Sequence, residues 1–169
     1  GEAVENAIFN WEQFPRWKEK LPDFRAPRRY TNARRLRETQ PDKFIMGGIG
    51  SLMMTLVYLR GYANYMEDIH LHRRSLEELI SILYCCACDA IEEYARCGMD
   101  AVIAWEDWGL QDRLMIHPND WRKLFKEHMR IMVRLIHDRH MKYILHSCGF
   151  IVDIIDDLIE IGVDVLQLD

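Results

Sequence analysis

From Lys43 onward the chain alternates short apolar runs with longer segments whose apolar residues recur at helical spacing. That alternation restricts the fold more than any other feature. KFIMGG (43–48), AVIAW (101–105), KYILH (142–146) and VDVLQLD (163–169) are apolar runs of strand length. Between them SLMMTLVYLRG reads as a helix stopped by Gly61, and a long helix is expected from about Ser75 to Arg96. Ser75 and Glu78 have the spacing of a capping box, Leu76, Leu79, Ile80, Leu83, Ala87, Ala90, Ile91 and Tyr94 form one stripe, and Gly98 follows as a stop. Pro118 opens a further helix, after an N-cap at His117, and FIVDIIDDLIEIG forms the last. Strands without polar alternation, separated by amphipathic helices, predict an α/β fold with a parallel sheet covered by helices. Four such units suit a doubly wound sheet or roughly half of a TIM-like (β/α)8 barrel. A complete barrel takes about 250 residues, and the chain stops at a strand end after 169. It is therefore expected to be a segment of a longer protein, with 1–42 an N-terminal helical and connecting segment and 43–169 a partial barrel.

Bulk properties narrow the function classes. A net charge of −5 argues against nucleic acid as the main partner, which would require a basic surface. The longest uncharged stretch, Phe44 to Leu59, falls short of the usual membrane span and carries Gly47, Gly48 and Gly50, so no transmembrane segment is expected. GEAVENAIFNWEQF lacks the apolar region of a signal peptide. Five cysteines, three of them in CCAC (Cys85, Cys86, Cys88), point to reduced thiols and a cytoplasmic location rather than a disulfide framework. The basic run of Arg28, Arg29, Arg34, Arg35 and Arg37 reads as a solvated helix face more readily than as an anion patch.

Reactive residues gather where the apolar runs end, which in parallel α/β proteins is where active sites form. His146 and Cys148 stand two apart on an extended segment and so project to the same side. An imidazole and a thiolate so placed are half of a tetrahedral zinc site, with Glu106 as the available third ligand. Glu106 and Asp107 are adjacent and face opposite ways; Glu106 is taken as the one in the mouth, as metal ligand or acid/base, with Asp107 beside it as a further catalytic candidate. Trp105 and Trp108 are expected to wall a pocket for a flat ring. Gly48 and Gly50 do not match a dinucleotide fingerprint and are read as places of close backbone approach to a small-molecule substrate. Asp169 closes the fourth strand end. Cys85 and Cys88, and His128, His137 and His140, are read as structural.

The run WEDWGLQDRLMIHPNDWRKLFKEHMRIMVRLIHDRHMKYILHSCGFIVDIIDDLIEIGVDVLQLD resembles the uroporphyrinogen decarboxylase superfamily, with KFIMGGIGSLMMTLVYLRGYANYMEDI similar to its glycine-bearing strand and helix. The resemblance covers residues 43 to 169. It implies a barrel enzyme of one of two branches. The decarboxylases use neither metal nor cofactor and act on the acetate arms of a tetrapyrrole around an aspartate. The methyltransferases bind zinc through H-x-C and a later cysteine, and pass a methyl group between a small substrate and a corrinoid protein or thiol. His146-Ser147-Cys148-Gly149 is similar to the second branch, and Glu106 stands where decarboxylases carry an aspartate. The expectation is a zinc-dependent methyltransferase working with a corrinoid on a partner protein. A decarboxylase, or a non-catalytic barrel that binds a corrinoid or partner, is the alternative.

Overall fold

The computed structural model describes residues 6–169; residues 1–5 of the expected N-terminal segment lie outside it. Four strands, β1 (Met46–Gly50), β2 (Ala101–Glu106), β3 (Lys142–Ser147) and β4 (Val165–Leu168), form one sheet in the order β1-β2-β3-β4. Every pairing is parallel. Each strand lies beside its successor in the chain, so the order never reverses as it does in a doubly wound sheet. This is the progression of a TIM-like barrel, here as a partial one.

β1 starts later than KFIMGG suggests, because the backbone around Ile45 is engaged by Asp100. The Asp100 carboxylate accepts the Ile45 amide at 2.7 Å, and the Asp100 amide donates to the Ile45 carbonyl at 2.9 Å. Arg37 pairs with the same carboxylate and donates to the carbonyls of Pro41 and Lys43. One member of the basic run is thus a clamp at the foot of the sheet, and another, Arg29, stacks over Phe24.

The N-terminal region carries α1 (Phe14–Lys18) and α2 (Thr31–Thr39), and α3 (Leu52–Arg60) follows β1. Ser51 caps α3, its hydroxyl accepting the Met54 amide at 2.9 Å. A helix that no sequence signal marked, α4 (Tyr62–Leu71), runs almost directly into α5 (Arg73–Arg96). The capping box expected at Ser75 therefore does not form: His72 is the N-cap, and Ser75 lies inside the helix. Glu78 instead pairs with Lys18 at 2.7 Å. The expected stripe does face inward, with Leu76, Leu79, Ile80 and Ile91 fully buried. Pro118 opens α6 (Pro118–Trp121), and His117 Nδ1 accepts the Asn119 amide as its cap. A wide π turn over Arg122–Lys126 then re-phases the stripe, so that Met129, Met132, Val133 and Ile136 of α7 (Glu127–Asp138) follow Trp121 and Phe125 into the core. α8 (Val152–Ile161) follows β3, packs beside α7 and leads to β4. Among the described residues no helix is long and apolar enough to cross a membrane.

Ile8, Phe14 and Tyr30 belong to the same buried cluster as the helices behind the sheet. The N-terminal residues are tied down by one buried cation. Arg60, 3% exposed, bonds Asp68 at 2.6 Å, donates to the carbonyls of Ile8 and Phe9, and lies 4.2 Å over the Trp11 ring. Trp11 Nε1 donates to the same Asp68 at 2.9 Å. Removing one member of such a pair strands a charge in the core. Asp68→Ala should lower stability by about 3–5 kcal/mol in urea unfolding, whereas a matched Arg60→Met, Asp68→Leu double variant should recover part of that loss.

Candidate active site at the strand ends

Side chains along the strands alternate between two faces. In β2, Val102 and Ala104 join the core behind the sheet, as do Tyr143 and Leu145 of β3. The opposite face, which becomes the interior of a barrel, carries Trp105 beside its register partner His146, with Gln167 next on β4. Glu106 falls on the helix-facing side by the same alternation. It is 2% exposed and sits under the first turn of α3, accepting the Ser51 hydroxyl at 2.8 Å and the amides of Leu52 and Met53 at 2.9 and 3.0 Å. Three donors and a helix N-terminus satisfy this carboxylate. The expectation that Glu106 faces the mouth as a metal ligand or proton handler is therefore corrected. Burial raises its pKa, against the lowering effect of those hydrogen bonds.

Asp107 turns the other way. Its carboxylate, His146 and Cys148 each offer a ligand atom, and these atoms all lie within 4.8 Å of one another. His146 Nε2 is 3.2 Å from Cys148 Sγ, while His146 Nδ1 is buried without a hydrogen-bond partner among the described residues. The Asp107 carboxylate beside it pushes the Cys148 thiol up from its usual range, with burial and the charges of Asp107 and Asp169 adding to the effect. A thiol surrounded by anions keeps its proton until a cation arrives, and a metal ion is the cation that would displace it. One imidazole, one thiol and one carboxylate, all partly exposed, are a donor set suited to zinc. By contrast, Cys85 and Cys88 form no such group with a third ligand among the described residues.

Backbone contacts hold the three residues in place. The loops after β2 and β3 touch at Gly109 and Gly149, where a Cβ on Gly109 would come within 2.4 Å of the Gly149 carbonyl carbon. Only hydrogen atoms fit there, so the loops can zip together. Gly109 N donates to Cys148 O at 3.1 Å, Phe150 N to Leu110 O at 2.7 Å, and Cys148 N to Glu106 O at 3.3 Å. The Ser147 hydroxyl, fully buried, accepts the Trp108 amide at 3.2 Å. This pairing of the glycines that close WEDWG and HSCG is a signal that sequence reasoning passed over.

The remaining candidates divide. Trp105 is 46% exposed on the interior face and lies across Gly48, where an added Cβ would sit 2.9 Å from the ring. Trp108 is corrected: it is 1% exposed and packs edge-on against Trp121 and Phe125 in the core, not at the mouth. Gly50 lies at the bulge that ends β1, with open space around it. Asp169 accepts the Gly149 amide through its carbonyl at 3.3 Å, which sets it over the Cys148 loop. His128 stacks on Tyr84 and His137 bonds Asp164, so both are structural. A cavity of about 500 Å³ lies among Tyr30, Leu52, Leu83 and Tyr94; Gly48 lines it, whereas Asp107, His146 and Cys148 do not.

Together these features define a β/α-barrel segment with a donor cluster at the catalytic ends of its strands. The family model for uroporphyrinogen decarboxylase (URO-D) matches residues 1–169, and the chain belongs to that family. Among curated proteins none matches. Among solved structures, a methyltransferase from Methanosarcina mazei is similar with a TM-score of 0.68 and 19% identity, over 79% of this chain and 39% of that one. The chain thus spans well under half the length of that relative, and at this identity the likeness is one of fold.

Loss of the Glu106 carboxylate leaves buried donors unpaired. Glu106→Ala should cost about 1–3 kcal/mol in chemical unfolding for the orphaned groups alone. Because the folded pKa lies above the ordinary 4.5, this group's contribution is complete below that pH and declines as pH rises through the folded value. Glu106→Gln should flatten that part of the stability–pH curve.

Proposed function

We propose that the chain is the core of a zinc-dependent methyltransferase that moves a methyl group from a small methylated substrate to a thiol or to a corrinoid on a partner protein. The observation that carries this reading is the convergence of Asp107, His146 and Cys148 at the strand ends. A bound zinc would supply positive charge that keeps a thiolate formed, that of Cys148 and that of an acceptor thiol. The residues that would hold it are His146 and Cys148, with Asp107 replacing Glu106 as third ligand. Asp107 also sets the local charge, giving up its hold on the Cys148 proton when that proton leaves. Trp105 borders the place where substrate would sit, and the glycine-zipped loops keep the donors at fixed spacing. The name of the structural relative, a methyltransferase, agrees with this reading, and the sealed position of Glu106 weighs against a decarboxylase acting through that residue.

Metal analysis tests it. The protein should hold one zinc per chain, and Cys148→Ala or Asp107→Ala should weaken binding by more than the 10- to 100-fold loss, roughly, that follows removal of an outer-shell partner. Glu106→Gln should keep its zinc, since that side chain faces the helices. Zinc retained in Cys148→Ala, or porphyrinogen decarboxylation by metal-free protein, would sink the proposal.

A further inference from the structure

The mouth has an unusual balance of charge and aromatic surface. Trp105 rests on Gly48, yet nearly half of its surface stays exposed beside His146. Two acidic residues border the same place: Asp107, whose carboxylate lies within 4.8 Å of the His146 and Cys148 ligand atoms, and Asp169, whose carbonyl accepts the Gly149 amide at 3.3 Å. The nearest cation on the loop after β2, Arg113, is taken by Asp112 at 2.7 Å. A flat aromatic face beside carboxylates is the recognition chemistry of an alkylated ammonium, held by cation–π attraction.

The burial of Glu106 adds a chemical reason. A methyl ether would release an alkoxide or phenoxide, which calls for a proton donor, and the Glu106 carboxyl is sealed under α3. A quaternary ammonium needs no such donor. Its C–N bond breaks with the electron pair left on nitrogen, a neutral amine departs, and the acceptor thiolate or reduced corrinoid forms the new bond to carbon with its own pair. We propose that the methyl donor is a methylated ammonium cation and that Trp105 is the residue that selects it. The substrate class rests on the methyl-transfer reading; binding of the cation does not.

The test uses choline and its neutral carbon isostere 3,3-dimethylbutan-1-ol, titrated into the full chain by calorimetry with zinc content measured in parallel. Choline should bind more tightly by about 2- to 30-fold, the span that cation–π energies give. Trp105→Ala should abolish the difference and Trp105→Phe should keep part of it, with circular dichroism confirming that both variants fold. Equal binding of the two probes, or a choline preference unchanged in Trp105→Ala, overturns the inference. One zinc per chain without a choline preference removes this proposal and leaves the methyl-transfer reading standing. A Trp105-dependent choline preference in a protein that holds no zinc supports the cation site and removes that reading instead.

Discussion

The carboxylate of Glu106, sealed beneath the first turn of α3, governs the direction in which the strand-end residues face. It ties the end of β2 to Ser51, Leu52 and Met53. With that side chain committed to the helix layer, the alternation of a strand leaves Trp105 and Asp107 on the opposite side. His146 lies beside Trp105 in the register of β2 and β3, and Cys148 follows two residues on. The candidate site is thus a consequence of where one charge is buried.

Two kinds of charged group occur in this chain, and their surroundings separate structure from chemistry. Arg60, Asp68 and Glu106 are buried and fully engaged by fixed partners. Such groups hold elements together, and their value lies in what breaks when one partner is removed. Asp107, His146 and Cys148 are partly exposed, with their ligand atoms within 4.8 Å of one another. A thiol raised by a neighbouring carboxylate and an imidazole Nδ1 without a hydrogen-bond partner among the described residues mark a candidate site by their surroundings. Fold alone would not distinguish them, because one barrel architecture serves many chemistries.

The strand–helix alternation, and with it the parallel sheet, was legible from apolar runs and stripes because burial of both sheet faces demands them. His146 and Cys148 were legible as a pair because a two-residue spacing on an extended chain fixes their common side. The choice between Glu106 and Asp107 was not. The sequence shows that adjacent residues diverge, but which of them faces the helices depends on the packing of α3 against β2. Trp108 misled for the same reason: tryptophan suits a pocket wall and a core equally, and only its contacts with Trp121 and Phe125 decide. Local signals also yielded to tertiary ones at Ser75, whose capping pattern was overridden when α4 ran on into α5.

What the sequence by itself determined is the α/β class, the strand ends where chemistry gathers, and a histidine and cysteine on one side of the third strand. These follow from periodicity, which is local. The tertiary structure alone decided that Asp107 completes the donor set, that Glu106 is structural, and that Gly109 and Gly149 let the two loops meet. Those outcomes depend on contacts between segments 39 to 55 residues apart, which no local pattern encodes.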